Sequence, residues 1–354
     1  MRVLTTERSR STGRTAALAG AASLVALAIG NVIAARRAER AHPPEGAFIT
    51  VDGVRLHYSD RGQGSPVVLI HGNVVTGDDW NTSGVAELLL RDHRVIIFDR
   101  PGFGYSERPR GGLWTADRQA ELLWKALRQL GIERPVIAGH SWGAIVALAM
   151  AARHQAEMAG LVLVSGYYFW TLRPDALLVL PGAVPLLGDL LRYTVSPLLG
   201  WLQMPLLKRG MFSPAPVPAR FQAEYAPGLA LRPSQIRATS QDGALMIPGA
   251  LALRDSYRHL RLPVVIIAGD GDKVVFVQRA EQLRDAIPGA VLQVVEGAGH
   301  MVHHCAPSLV AKAVQRAGAS SQAPTGGTDA TEPLPDRSPE SVGPEHEDPV
   351  AAAS

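Results

Sequence analysis

The 354-residue sequence predicts an α/β fold: a mostly parallel central sheet flanked by helices, with a helical lid inserted. Three observations predict it. Short β-branched runs recur along the chain and are continuous rather than alternating, as strands buried on both faces require. Helical stretches separate several of these runs, which is the rhythm of βαβ units. One long Leu- and Pro-rich stretch without a strand signal interrupts the alternation, which then resumes.

The core elements follow in order. Phe48–Val51 and Val54–Tyr58 flank Asp52-Gly53, a strong hairpin signal. Val67–Ile70, Val95–Phe98, Pro135–Ala138 and Leu161–Val164 read as buried strands, and helices are expected at about Asp117–Leu130 and Trp142–Arg153. Residues 47–166 therefore form the first part of the core. Residues 167–259 are expected to be the helical lid. Residues 260–317 complete the core, with strands at Val264–Ile267 and Val291–Val295, each followed by a helix. From 318 to 354 the chain is Pro, Ser, Thr, Gly, Asp and Glu with almost no large apolar residue. Such a segment buries too little surface to offset its ordering entropy, so a disordered tail is expected.

Residues 1–46 differ from all of these. Between a basic start and Arg36, Arg37 and Arg40 lies an uncharged apolar run, Thr15–Ala35, about as long as a bilayer-crossing helix. The expectation is membrane association through an uncleaved N-terminal helix. Arg2, Arg8, Arg10 and Arg14 favour the N-terminus on the inner side. Secretion after signal cleavage is the alternative, since Val32-Ile33-Ala34-Ala35 ends in small residues, although Arg36-Arg37 make a poor mature start. A third reading is a soluble helix buried on the domain.

Composition excludes some classes. A hydrophobic fraction of 47% excludes global disorder. The net charge is only +3, with no basic stripe interleaved with aromatics, so no nucleic-acid partner is expected. The single cysteine, Cys305, has no disulfide partner within the chain and reads as a small residue at a helix start rather than a nucleophile.

A better nucleophile lies in Gly139-His140-Ser141-Trp142-Gly143, between a predicted strand and a predicted helix. The turn is tight enough that a side chain at either glycine collides with backbone, and it lifts the Ser141 hydroxyl above the carboxyl end of the sheet. The helix N-terminus beneath offers free N–H groups to developing negative charge. A serine hydroxyl needs a base, and the base needs an orienting acid. On such a turn the acid and then the base follow in chain order. Gly269-Asp270-Gly271-Asp272 and Gly297-Ala298-Gly299-His300 each follow a predicted strand.

These segments, with His71-Gly72-Asn73 and Asp99-Arg100-Pro101-Gly102-Phe103-Gly104-Tyr105-Ser106, resemble the α/β-hydrolase superfamily over roughly residues 47–317. The resemblance is to its lid-bearing serine esterase, lipase and haloperoxidase-like branch. It implies Asp272 as the acid, leaving Asp270 as a loop residue, and an oxyanion hole from the backbone N–H groups of Asn73 and Trp142. Phe276 and Ala144 stand where the branch often has Pro and Gly, away from any catalytic group. Ser141 replaces the nucleophilic Asp of haloalkane dehalogenases and epoxide hydrolases, which argues against both chemistries. The implied activity is cleavage of carboxylic esters by Ser141, His300 and Asp272 without a cofactor, on a small apolar ester suited to an apolar lid. Carbon–carbon bond hydrolysis, acyl transfer and perhydrolysis use the same triad, and a non-catalytic ligand-binding role is the alternative from another class.

The remaining candidates have plainer expectations. His300, His303 and His304 lack a carboxylate at zinc-ligand spacing, so no metal is expected. His71 is expected to make a structural hydrogen bond, and His140 to pack at its strand end. Asp99 and Arg100 are expected to tie the glycine loop after them. Trp170, Trp201, Phe212 and Tyr225 are expected to pack within the lid or line a channel beneath it.

Overall fold

The computed structural model describes residues 4–171 and 180–319. Helix α1 (Leu4–Ala41) precedes a sheet of eight strands: β1 (Ala47–Val51), β2 (Val54–Arg61), β3 (Ser65–Ile70), β4 (His93–Phe98), β5 (Val136–His140), β6 (Gly160–Val164), β7 (Val264–Gly269) and β8 (Val291–Val295). Their spatial order is β1-β2-β4-β3-β5-β6-β7-β8. The β1–β2 hairpin pairs in register about Asp52-Gly53, and β2 runs antiparallel to β4. Strands β3 to β8 are all mutually parallel.

Burial explains the sequence pattern. Every residue of β5, β6 and β7 is buried, whereas the edge strands β1 and β8 are mixed. On one face Leu123 and Leu127 of α4 (Ala116–Gln129) and Ile145 of α5 (Trp142–His154) pack against Val68, Ile137 and Leu163. On the other, Leu89 of α3 (Val85–Leu89), which follows the one-turn α2 (Asp79–Thr82), joins Val310 and Val314 of α13 (Pro307–Ala319) over Leu69, Val162 and Ile267. Helix α11 (Val277–Ala286) covers β7 and β8, and the short α12 (Val302–Cys305) precedes α13. Cys305 thus ends a one-turn helix instead of starting one, because Pro307 opens the next.

Between β6 and β7 the described residues are helical or irregular. They form α6 (Leu187–Tyr193), α7 (Val195–Phe212), α8 (Ala219–Glu224), α9 (Pro227–Ala230) and α10 (Pro233–Leu253). The expected tail lies outside the described residues from 320 onward; residues 318 and 319 close α13.

Helix α1 runs six residues beyond the expected Ala35, to Ala41. Its Thr15–Ala41 portion is long and apolar enough to cross a membrane, with a mean hydropathy of 2.0 in its most apolar window. At 1.5 Å per residue this portion is about 40 Å long. None of that window is buried, which removes the reading of a soluble helix covered by the domain. The C-terminal part of α1 touches the domain. Asn31 Nδ2 donates to the Tyr193 and Thr194 carbonyls at 2.8 and 2.7 Å, and Glu39 pairs with Arg232 at 3.0 Å.

Strand order fixes where a site can form. The chain moves from β3 to one side for β4 and to the other for β5. Loops leaving the carboxyl ends of β3 and β5 therefore diverge, opening the crevice typical of such sheets. Ser141 follows β5 and His71-Gly72-Asn73 follows β3.

Candidate active site

Ser141 has φ 53° and ψ −116°, a conformation that L-residues avoid and that a tight strand-to-helix turn imposes. The flanking glycines permit it by close approach. A methyl group on Gly139 would lie 2.4 Å from the Gly143 carbonyl oxygen, and one on Gly143 would lie 2.2 Å from that of Ile70. Helix α5 thus packs its first turn directly on β3.

Three residues distant in sequence meet here. The Ser141 hydroxyl donates to His300 Nε2 at 2.9 Å, and His300 Nδ1 donates to Asp272 Oδ2 at 2.9 Å. Asp272 is held from its other oxygen, which accepts the Val274 and Val275 N–H groups at 2.8 and 2.9 Å. Asp272 and His300 are buried while Ser141 is partly open. Such a line can pass a proton from hydroxyl to imidazole and stabilise the resulting cation. Asp270 is apart from it and accepts the Gly297 N–H at 2.8 Å, a loop role.

The loop after β3 lies against Ser141: a methyl group on Gly72 would sit 3.0 Å from Ser141 Cβ. Trp142 opens α5, so its N–H has no acceptor within the helix. His71 does not reach the reacting atoms. Its Nδ1 donates to the Gly72 carbonyl at 2.7 Å, and its Nε2 accepts the Arg100 N–H at 2.9 Å. Burial, then the neighbouring Arg100 charge, lowers its pKa to about 4, so it is neutral.

Arg100 does more than tie its own loop. All five guanidinium donors are used: Nε to the His71 carbonyl, Nη2 to the Gly72 carbonyl and Asn73 Oδ1, Nη1 to Gln119 Oε1 and Asp242 Oδ2, at 2.6 to 3.0 Å. Asp99 holds the glycine loop as expected, accepting the Tyr105 N–H at 3.0 Å, and also takes His57 Nδ1 and the Gly77 N–H. A second tie reaches the loop after β3 from Tyr225, whose hydroxyl donates to the Val74 carbonyl at 3.0 Å. Val74 has φ 66°, a strained value for a β-branched residue. Asp242 is one of two charged residues in α10, the other being Arg237, and the sequence did not single it out.

The histidine cluster gathers around Asp79, which the sequence did not single out. His303 Nε2 and His304 Nε2 donate to its two oxygens at 2.8 and 2.9 Å. Burial would raise the Asp79 carboxyl, but the two imidazoles hold it well below its ordinary value. His140 packs as expected, its ring 4.2 Å from His303 and its Nε2 3.2 Å from the His300 carbonyl. Asp79, His140 and His303 are the described residues whose ligand atoms come close enough for a metal, and the carboxylate is already engaged by two imidazoles. Phe212 is buried and Tyr225 partly so, whereas Trp170 and Trp201 are exposed. A cavity of 370 Å³ borders Val74, Val75, Asp78 and Tyr225; Ser141, Asp272 and His300 do not line it.

Residues 65–307 match the family model described as the alpha/beta hydrolase fold. The chain belongs to the α/β-hydrolase family. Among its relatives is a 2-hydroxymuconate semialdehyde hydrolase of Pseudomonas putida, 29% identical over 266 residues, covering 73% of this chain and 88% of the relative. Haloalkane dehalogenase 2 of Mycobacterium tuberculosis is 28% identical over 290 residues, 77% of this α/β hydrolase and 94% of the dehalogenase. Among solved structures, a membrane phospholipase A described as a bacterial virulence factor superposes with a TM-score of 0.60 at 22% identity, covering 89% of this chain and 99% of that one.

Proposed function

We propose that this α/β hydrolase is a membrane-associated serine hydrolase that cleaves apolar carboxylic esters through an acyl-enzyme on Ser141. The hydrogen-bonded line from Ser141 through His300 to Asp272 carries the reading. His300 takes the Ser141 proton as Oγ bonds to the carbonyl carbon. The carbonyl electron pair moves onto oxygen, where the N–H groups of Asn73 and Trp142 receive it. Each such donor contributes on the order of 3 kcal/mol to the transition state. As the intermediate collapses the carbon–oxygen bond breaks, and the alcohol leaves with the proton from His300. Water then repeats the cycle, returns the proton to Ser141 and releases the acid. Asp272 fixes the imidazole tautomer and stabilises the imidazolium. A serine nucleophile disfavours the dehalogenase reading.

Two features support an apolar ester met at a membrane. The first is the most apolar window of Thr15–Ala41 in α1, which is uncovered. The second is α7, which carries no charge before Lys208 and exposes Leu198, Leu199, Trp201, Leu202 and Leu206. Large exposed apolar surface of this kind suits a non-aqueous neighbour. In this reading α6–α10 form a lid over the site, and α1 anchors the chain beside it. The likeness to a membrane phospholipase A points the same way. The likeness to the semialdehyde hydrolase favours a second reading, carbon–carbon bond hydrolysis on the same three residues.

A fluorophosphonate probe tests the chemistry: the wild type is expected to be labelled and Ser141→Ala not. Equal labelling of both proteins removes the mechanism. A panel of esters of graded acyl length, run beside 2-hydroxymuconate semialdehyde, separates the two readings. Turnover rising with acyl length supports the first, and turnover of the semialdehyde alone supports the second.

A further inference from the structure

Arginines converge on a cleft that Ser141, Asp272 and His300 do not line. The cleft, of 540 Å³, opens between the end of α1, the loop after β4, α6 and the start of α10. Five arginines line it: Arg108, Arg110, Arg192, Arg232 and Arg237. The carboxylates on its wall are Glu39, paired with Arg232, and Glu107, whose Oε2 accepts the Arg55 N–H. Just outside, Asp189 pairs with Arg110 at 3.0 Å and Arg192 at 2.6 Å. Arg108 pairs with the buried Asp242, which it shares with Arg100. Arg237 has no carboxylate partner among the described residues.

Three buried donors are unspent. Arg108 Nε and Nη2 and Arg192 Nε have no hydrogen-bond partner among the described residues, although both residues are more than nine-tenths buried. An unmet guanidinium N–H in that position is costly, and an anion relieves it. Burial, then the charges of Arg192, Arg108 and Arg110, lower the Arg237 pKa against the opposing charge of Asp189, as expected where like charges crowd together. Guanidinium forks match the oxygens of a tetrahedral oxyanion better than ammonium groups do.

We propose that this cleft binds a phosphoryl anion, with Arg108, Arg192 and Arg237 as its donors. The cleft touches Glu39, two residues from the end of the candidate span Thr15–Ala41, so a bilayer crossed by that span would bring its phosphate layer toward the cleft. A phospholipid headgroup and a soluble phosphate ester share the chemistry, and the test distinguishes them. The proposal does not depend on Ser141, because it is read out by binding.

Inorganic phosphate is titrated by calorimetry into the full chain in a non-ionic detergent, at ionic strength held constant with chloride. The expected result is saturable binding, weakened about tenfold in Arg237→Gln and again in Arg108→Gln, as loss of a charged hydrogen bond predicts. Arg108 has a buried partner, so Arg237→Gln, on a half-buried side chain, keeps the test informative if Arg108→Gln fails to fold. Phosphatidylglycerol in the micelles is then added. Competition with phosphate identifies a lipid headgroup; unchanged phosphate binding identifies a soluble phosphate ester. No saturable binding, or binding equal in wild type and Arg237→Gln, overturns the proposal.

Discussion

Asp272 faces two ways. One oxygen takes the His300 imidazole, and the other takes two backbone N–H groups of its own loop. Asp272→Asn keeps an acceptor for the loop, so the fold is expected to hold. The amide no longer compels the His300 tautomer that accepts the Ser141 proton. Steady-state kinetics on the ester that wild type turns over best should show kcat lower by about 10³- to 10⁴-fold with KM little changed. Asp270→Asn, altering an exposed side chain that accepts the Gly297 N–H, should stay within about twofold of wild type, inside the usual range for a surface change. If the two variants lose kcat equally, the assignment of the acid is wrong.

At the scale of elements, α1 is two things in one helix. From Thr15 its most apolar window is uncovered, while Asn31 and Glu39 tie its last part to α6 and the start of α10. Removing the whole helix would therefore remove packing as well as the candidate anchor. A chain starting at Gly30 keeps both ties and drops most of the apolar run. On membrane fractionation the full chain should sediment with membranes and the shortened chain should stay in the supernatant with its ester turnover intact. Equal partitioning would remove the anchor reading. The same ties place Tyr193 and Thr194, at the end of α6, against α1.

Buried ionisable groups set a property of the whole molecule. His71 and His303 each have a pKa lowered from 6.5 to about 4, chiefly by burial, and His140 lies well below 6.5 for the same reason. Between about pH 4 and pH 6.5 the unfolded chain binds protons at these positions that the folded chain does not. Stability is thus fully present above pH 6.5 and is lost as pH falls through that window. Asp79 adds to the loss in the same direction, since its carboxyl sits well below the ordinary value in the fold. Urea unfolding followed by fluorescence should give a midpoint that drops steadily from about pH 7 to about pH 4.5, with a slope of more than one proton per molecule. A flat profile would mean that these imidazoles titrate normally.

What the sequence determined by itself was periodic or contiguous. Strands buried on both faces are uniform apolar runs, so β3 through β7 were legible from composition over a few residues. The Ser141 turn was legible because Gly139 and Gly143 mark a close approach that only a missing side chain allows. The order of Asp272 and His300 behind it was legible because each follows a strand and so lands on the same sheet edge. Tertiary structure alone decided contacts between elements far apart in the chain. Asp79 gathers His303 and His304 from more than two hundred residues away, and Asp242 reaches Arg100 across 142. No local pattern encodes such pairs, because a buried charge finds its partner only when the sheet order brings two loops together. The five-arginine cleft is of this kind too: its residues lie singly or in pairs in the sequence, and the fold alone makes them neighbours.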